Sequence, residues 1–220
     1  MSFINIFLTK DLVSTLVRNI NSPSPQLILL PSLRIIGNFV RVDDALVNGL
    51  VLETKGLIEG LKYCLSANTF NIRKEALYIM SNIAAGTADQ TDILVSNNVV
   101  QDLLTIFQTC HQFFVGREVY SLKKEASWVV NNIVAHSEYI DRVFNTPQLV
   151  EYILELVIDP MVEPSLLAEA LEPILQSITF VKDESIRKDL LRKIQNFATT
   201  HPRHEHFQFL AEKLLVEEEL

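Results

Sequence analysis

The sequence predicts an all-α protein that forms a right-handed superhelical solenoid of three-helix repeats. Apolar residues recur at helical spacing through nearly the whole chain, and no alternating strand pattern is present. The chain has 6 glycines and 8 prolines, which are too few turn residues for a β-sandwich or a doubly wound sheet. A similar segment recurs around Asn38, Asn82 and Asn132, at steps of 44 and 50 residues. Periods near this length are typical of helical solenoids.

Turn residues divide the apolar pattern into separate helices. The breakers include the Ser-Pro-Ser-Pro stretch at 22–25, Asn145-Thr146-Pro147 and Asp159-Pro160. Between them we predict helices at residues 10–20, 26–41, 43–52, 55–66, 71–85, 88–95, 98–111, 119–135, 137–144, 147–158, 163–180, 183–199 and 203–218.

Three segments of the chain are similar to one another, namely Ser32–Val40, Lys74–Ala84 and Lys124–Val134. Each lies in a long predicted helix and carries an asparagine at the same aligned position. In each unit a short helix and a middle helix come before the long one. One such unit cannot bury its apolar face alone, so we expect the units to stack and the long helices to line a concave surface.

Composition and charge narrow the function classes. Apolar residues make up 48% of the chain and charged residues 21%, which is typical of a folded protein rather than a disordered one. The 27 acidic and 19 basic residues give a formal net charge of −8. This charge argues against binding nucleic acid through its phosphates and favours a basic partner.

Neither a membrane span nor a disulfide framework is predicted. No run of 18 apolar residues occurs. The two cysteines, Cys64 and Cys110, are interpreted as buried thiols of a reducing compartment, which makes the cytosol or nucleus the expected location.

Two of the long helices carry an acid, a ring and an amide in the same order. The spacing i, i+3, i+7 places each set on one helix face. The sets are Glu75, Tyr78 and Asn82, followed by Glu125, Trp128 and Asn132. Arg34 and Asn38 are also four residues apart, which is the spacing between the ring and the amide in both sets.

This pattern has a chemical use. An asparagine amide offers a donor and an acceptor, so a row of amides can pair with the backbone of an extended peptide. Rings on neighbouring helices form slots for the alkyl stem of Lys or Arg, worth about 0.5–1 kcal/mol when exposed and about 2 when desolvated. Acids at the slot ends pair with the cationic tip. The predicted ligand is an extended, lysine-rich peptide. A single asparagine in a long helix is more often a solvated residue, and a single tryptophan is more often a core residue. The hypothesis of a peptide site therefore depends on the recurrence of the amide and the ring at the repeat spacing.

The longer second step places an insertion near residues 110–122, which holds Phe113 and Phe114. One interpretation is a longer loop whose two rings pack on the neighbouring helix. The other is a protruding apolar contact for a partner, because adjacent exposed rings are unusual on a monomer.

No catalytic or metal constellation is predicted. The cluster of His201, His204, Glu205 and His206 contains a histidine pair at i, i+3, but Pro202 breaks the helix between them. We interpret it as a solvated helix start. No phosphate-binding glycine loop occurs. We therefore expect no cofactor and no metal, and an enzyme is the least favoured hypothesis.

The repeated segments resemble the armadillo repeats of the importin-alpha family. The run Arg-Lys-Glu-Ala-Leu-Tyr-Ile-Met-Ser-Asn-Ile-Ala-Ala-Gly at 73–86 is similar to that family's third-helix signature. An arginine form at Ser32–Asn38, then an aromatic form and a tryptophan form, resemble its sixth, seventh and eighth repeats, which make its minor cargo site. The resemblance covers about residues 26–140.

The resemblance implies a single armadillo-type solenoid over 1–220. It divides into a partial first repeat at 1–42, repeats at 43–86 and 87–136, a divergent repeat at 137–180 and a helical cap at 181–220. The chain is expected to be a truncated or divergent member. It shows no basic amino-terminal segment of the type that binds importin-beta, and it starts with an apolar stretch at Phe3–Leu8.

The resemblance also assigns a role to each residue of the pattern. Asn38, Asn82 and Asn132 become amides that pair with the peptide backbone, and Tyr78 and Trp128 become walls of the lysine slots. The remaining expected site residues are the acids Glu75, Glu125 and Asp44, the flanking residues Ser81 and Val40, and Arg34. Arg34 stands where the major-site repeats carry a ring, and it is expected either to pair with an acid or to repel a cargo lysine.

These expectations define two functions. The first is a nuclear import adaptor, cytoplasmic and nuclear, that binds Lys/Arg-rich localisation signals of cargo proteins, with importin-beta or exportin-type receptors as further partners. The alternative is an armadillo scaffold that has lost signal recognition and docks another protein. Tyr78 in place of a tryptophan and Ala135-His136-Ser137 in place of a glycine are departures from the family pattern. The alternative is favoured by the single tryptophan and by the expectation that the units forming the family's major cargo site are missing.

Overall fold

The computed structural model describes residues 9–21, 23, 25–41, 49 and 51–216, and within these residues the chain forms helices and turns without a strand. The all-α prediction is confirmed. The chain divides into two compact units, residues 1–129 and 130–220. Of the predicted helix at 43–52, residues 49, 51 and 52 are described and are helical, and the other positions lie outside the described residues.

Several helices with defined bounds lie in the described part of the first unit, the last of them only in part. They are α1 (Lys10–Ile20), α2 (Gln26–Val40), α3 (Leu57–Leu65), α4 (Phe70–Ala84), α5 (Ala88–Ser96), α6 (Val99–Thr109) and α7 (Arg117–Val134). The boundary between the units falls inside α7. These bounds agree with the predicted helices to within two residues, apart from the last residues of the predicted helix 98–111, which form a 3-10 turn at Cys110–Gln112.

Local capping chemistry fixes where several of these helices begin. The Thr9 hydroxyl accepts a hydrogen bond from the Leu12 amide at the start of α1. At the start of α5, the Thr87 hydroxyl accepts from the Gln90 amide, and the Gln90 side chain accepts from the Thr87 amide. This reciprocal capping box satisfies two amide donors that the helix itself leaves unpaired.

The long helices α2 and α4 pack directly against each other, and α4 also packs on α3 and α5. Gly37 of α2 sits at this contact, where a Cβ atom would lie 3.2 Å from Cγ1 of Ile79. The close approach brings residues of α2 next to the part of α4 that carries Glu75 and Tyr78.

The buried faces of α4 and α7 repeat in register at a step of 50 residues. In α4 the buried positions are 72, 73, 76, 77, 79, 80, 83 and 84, and in α7 they are 122, 126, 127, 129, 130, 133 and 134, so that of the buried positions in α4 Arg73 alone has a counterpart, Lys123, that is not buried. In α2 the register differs at three positions, since Ile28 and Ile35 are exposed whereas their counterparts Ile72 and Ile79 are buried, and Gly37 is buried whereas Ser81 is partly exposed. The sequence repeat therefore corresponds to a repeat of side-chain orientation in α4 and α7.

The insertion after α6 is anchored by Arg73 of α4. Phe114 is buried and meets Phe70 edge to face, with ring centroids 6.1 Å apart. The Arg73 guanidinium lies 4.6 Å from the ring centroid of Phe113 and 5.1 Å from that of Phe114, and its Nε donates to the Ala67 carbonyl at 2.5 Å. The packing interpretation is thus confirmed for Phe114, whereas Phe113 stays half-exposed.

The second unit begins within α7 and continues through a 3-10 turn at Ser137–Tyr139. Its helices are α8 (Ile140–Phe144), α9 (Gln148–Val157), α10 (Pro164–Leu166), α11 (Glu172–Gln176), α12 (Glu184–Thr200) and α13 (Glu205–Val216). Among these, α12 packs on α9 and α13.

The predicted helix at 163–180 is confirmed as a continuous helical segment over residues 164–180. It is irregular, because a π turn at Leu167–Leu171 joins α10 to α11 and a 3-10 turn follows at Ser177–Phe180. Proline at position 173 has no amide hydrogen, so the Glu169 carbonyl four residues earlier lacks its helical donor. The Asn131 side chain donates to that carbonyl at 3.2 Å, which stabilises the irregular backbone.

Both cysteines are free and buried, as predicted. Burial raises the pKa of the Cys64 thiol to about 12, so this group stays protonated and packs as an apolar side chain. None of the helices in the described part of the chain is both long and apolar enough to cross a membrane.

Candidate functional site

The solvent-facing side of α4 carries the residues predicted from the repeat. Glu75, Tyr78, Ser81 and Asn82 are all partly exposed, and so is Lys74, which was not predicted. Their spacing of three and four residues places them on one face, while the residues between them fill the core. The acid, ring and amide of α4 thus share a surface.

The same arrangement recurs on α7 at the repeat step. Its partly exposed residues at corresponding positions are Lys124, Glu125, Trp128, Asn131 and Asn132. Trp128 keeps part of its ring at the surface rather than inside the unit. Asn131 donates to the Glu169 carbonyl, so a neighbour of the predicted amide has a structural role.

On α2 the structure places the predicted residues on different sides. Arg34 and Asn38 are exposed, but Val40 is 6% exposed and lies in the core. The expectation that Val40 flanks a peptide is wrong, because its position matches the buried Ala84 of α4 in the repeat register. Asp44 lies outside the described residues.

An ion pair joins α2 to α4. Arg34 Nε lies 3.8 Å from Glu75 Oε2. Of the two expectations for Arg34, pairing with an acid is the one that the structure shows.

A second ion pair joins α4 to α7. Lys74 Nζ lies 3.9 Å from Glu125 Oε1. Sequence reasoning missed Lys74, because the residue is informative only once α4 and α7 are known to be neighbours. The indication in the sequence that Lys74 lies near the site was its position directly before Glu75. The two ion pairs connect the three long helices of the first unit in order.

Burial raises the pKa of both acids. For Glu75, the loss of solvation is partly offset by the charges of Arg34 and Lys74. For Glu125, the loss of solvation is partly offset by the charges of Lys74 and Lys124, and the charge of Glu75 raises the pKa further. An additional cation close to either acid would therefore stabilise the ionised form.

The amide of Asn82 has an unsatisfied donor. Its Nδ2 atom is buried and has no hydrogen-bond partner among the described residues. A buried donor without a partner costs about 1–3 kcal/mol. Rotation of the terminal amide group exchanges Nδ2 with Oδ1, so the side chain can present its donor on the other side.

His201, the first residue of the histidine cluster, has a structural role. The His201 ring stacks on Phe197, with ring centroids 4.2 Å apart, and its Nδ1 lies 2.9 Å from the Phe197 carbonyl oxygen. Within the described residues, no group of three or more His, Cys, Asp or Glu side chains is placed to hold a metal ion.

Comparison with curated proteins identifies importin alpha subunits as relatives. The chain is 30% identical over 109 residues to importin subunit alpha-9 of Arabidopsis thaliana, covering 48% of this chain and 21% of that protein. It is 35% identical over 100 residues to importin subunit alpha-1a of Oryza sativa subsp. japonica, covering 43% and 18%. The chain thus spans about a fifth of the length of these relatives. No protein-family model matches it.

Comparison with solved structures identifies the same fold. A designed armadillo repeat protein in complex with the peptide (KR)4 superimposes with a TM-score of 0.68 at 20% identity, over 92% of this chain and 80% of that one. Computationally designed armadillo repeat proteins for modular peptide recognition give a TM-score of 0.67 at 20% identity, over the same shares. The armadillo-type fold class is confirmed.

The resemblance to importin-alpha, first seen in the third-helix signature, is confirmed by these relatives. Together with the armadillo fold, it supports a protein-binding role built on the repeats.

Proposed function

We propose that the chain binds extended, Lys/Arg-rich segments of cargo proteins along α2, α4 and α7, and acts as an importin-alpha-like nuclear import adaptor. The observation that carries this proposal is the repeated acid, ring and amide on the partly exposed faces of α4 and α7. The ion pairs that connect α2, α4 and α7 support it, because they place acids at successive positions along the row of long helices.

In this proposal each residue type has one task. The amides of Asn38, Asn82 and Asn132 exchange hydrogen bonds with the peptide backbone. The donor of Asn82, buried and without a partner among the described residues, gains one when the amide turns toward a peptide carbonyl.

The rings and acids recognise the side chains. Tyr78 and Trp128 hold the alkyl stems of cargo lysines against their faces, and Glu75 and Glu125 attract the ammonium groups. Ser81 flanks the peptide backbone, and Asp44 is retained as a third acid. Val40 is excluded because it is buried.

The proposal includes a place of action and further partners. An adaptor for localisation signals works in both the cytoplasm and the nucleus. Importin-beta and exportin-type receptors are the proposed transport partners, and the role is binding rather than catalysis.

Titration calorimetry with the peptide (KR)4 tests the proposal. We expect a dissociation constant that is micromolar or weaker, and we expect affinity to fall as salt rises because the acid–cation attractions are screened. A peptide of the same length with glutamates in place of the cations is the control and should give no heat of binding. Absence of binding by (KR)4 at low salt would remove the proposal.

A scaffold that docks another protein is the second candidate. It is favoured by Tyr78, which offers a smaller π face than a tryptophan, and by the cations that already pair with both acids. The calorimetric experiment decides between the two, since a scaffold without signal recognition gives no binding of (KR)4.

Affinity for (KR)4 is expected to fall with decreasing pH, starting above the range in which ordinary glutamates titrate. Burial raises the pKa of Glu75 and Glu125, and each acid loses its attraction for a cation as it takes up a proton. Calorimetry between about pH 7 and about pH 4.5 measures this effect. Glu125→Gln should bind more weakly at pH 7 and show a smaller change with pH.

The raised pKa values of Glu75 and Glu125 also make the stability of the fold depend on pH. Because the folded chain holds these protons more tightly than the unfolded chain, the contribution of both acids to stability decreases as pH rises from the unfolded-state value through the folded-state value. Glu125→Gln should therefore not destabilise the fold near pH 7, so weaker binding by this variant would report on the site. An affinity independent of pH down to about 4.5 would contradict the assigned role of the acids.

A further inference from the structure

The two ion pairs share an asymmetry in exposure. The Arg34 side chain is 60% exposed and its partner Glu75 is 23% exposed. The Lys74 side chain is 44% exposed and its partner Glu125 is 16% exposed. In both pairs the cation is more exposed to solvent than the acid with which it pairs.

Neither pair is tight. The distances of 3.8 Å and 3.9 Å are longer than direct charge-assisted hydrogen bonds, which measure about 2.7–2.9 Å. Both cations are long side chains with large exposed fractions, and such pairs hold together weakly in water. Each can therefore swing aside without rearrangement of a helix.

We propose that Arg34 and Lys74 are built-in competitors of the peptide, which occupy the two acids in the free chain and must be displaced by cargo cations. The inference rests on the proposed function and adds a determinant of specificity to it. A peptide segment with a single lysine replaces one of the chain's own cations beside one acid, so its net gain in binding free energy is small. A segment with cations close enough to reach Glu75 and Glu125 together displaces both competitors.

The opposite assignment, in which Arg34 and Lys74 are themselves the ligands for an acidic peptide, fits the structure less well. Each cation has a carboxylate of the chain within 4 Å. An acidic segment would approach those carboxylates as well, and the chain as a whole has a formal net charge of −8.

Calorimetry with (KR)4 on Arg34→Ala, Lys74→Ala and the double variant tests the inference. Each single change is expected to tighten binding about two- to fivefold, and the double change about tenfold, because each removes one competing ion pair. Lys188→Ala is the matched control. It also removes a cation from an exposed ion pair, with Glu184 on α12, and should leave affinity unchanged. The Arg34→Gln, Lys74→Gln double variant, which keeps most of the side-chain volume, should repeat the effect.

The outcomes separate the inference from the function on which it rests. Binding by the wild type with equal or weaker affinity in both double variants overturns the competitor role and leaves the proposed function intact. Absence of binding in the wild type and in every variant overturns both. Binding of the glutamate peptide by the wild type, lost in the double variants, overturns the inference in favour of an acidic ligand.

Discussion

The variant with both Trp128→Ala and Asn132→Ala is expected to lose measurable affinity for (KR)4. Trp128 is the only tryptophan of the sequence and offers the largest π face on the long helices. Loss of one cation–π contact removes about 0.5–2 kcal/mol, and loss of hydrogen bonds to the peptide backbone removes about 0.5–1.5 kcal/mol each. A total of about 3 kcal/mol weakens binding roughly a hundredfold or more, which takes a micromolar affinity beyond calorimetric detection.

Controls for this variant come from the same unit. Tyr63 is a half-exposed ring on α3, away from the acid–ring–amide faces of α4 and α7. Tyr63→Ala should bind (KR)4 with wild-type affinity, and the circular dichroism spectrum of the double variant should keep its helical signal. Wild-type affinity in the Trp128→Ala, Asn132→Ala variant would show that the peptide binds elsewhere.

Arg73→Ala is expected to destabilise the fold by about 2–4 kcal/mol. Arg73 is only 3% exposed, its Nε donates to the Ala67 carbonyl, and its guanidinium lies over Phe113 and Phe114. A hydrogen bond from a charged group contributes about 1.5–3 kcal/mol, and a desolvated cation–π contact about 2. The cost of burying the guanidinium, which also lowers its pKa, offsets part of this sum.

Thermal unfolding followed by circular dichroism measures this effect. For a chain of this size, 2–4 kcal/mol corresponds to a fall in Tm of about 5–15 °C. Arg34→Ala is the contrasting control, since it removes an exposed arginine and should change stability by less than about 0.5 kcal/mol. An Arg73→Ala variant as stable as Arg34→Ala would show that the insertion is held by its apolar packing alone.

Hydrophobic periodicity was sufficient to predict most helices and the side of α4 and α7 that faces solvent. It did not predict the π turn at Leu167–Leu171 within the helical segment 164–180, where the Asn131 side chain donates to the Glu169 carbonyl. Pro173 was the local signal for this irregularity, because it lacks the amide hydrogen that the Glu169 carbonyl would otherwise accept.

The site was predicted less completely than the fold. The resemblance assigned Val40 to the peptide surface, yet the repeat register aligns it with the buried Ala84 and Val134. A register argument applied to every position would have excluded it. The pairing of Lys74 with Glu125 depends on the packing of two helices 50 residues apart in register, and no pattern within one helix contains that information.

The fluorescence of Trp128 tests the central claim, that a basic peptide lies over the acid–ring–amide face of α7. Because the sequence has one tryptophan, its emission reports on this face without a label. Titration with (KR)4 should change the emission saturably, with the same midpoint as calorimetry, and should protect the ring from quenching by acrylamide. Heat of binding with unchanged emission and unchanged quenching would place the peptide away from Trp128 and contradict the claim.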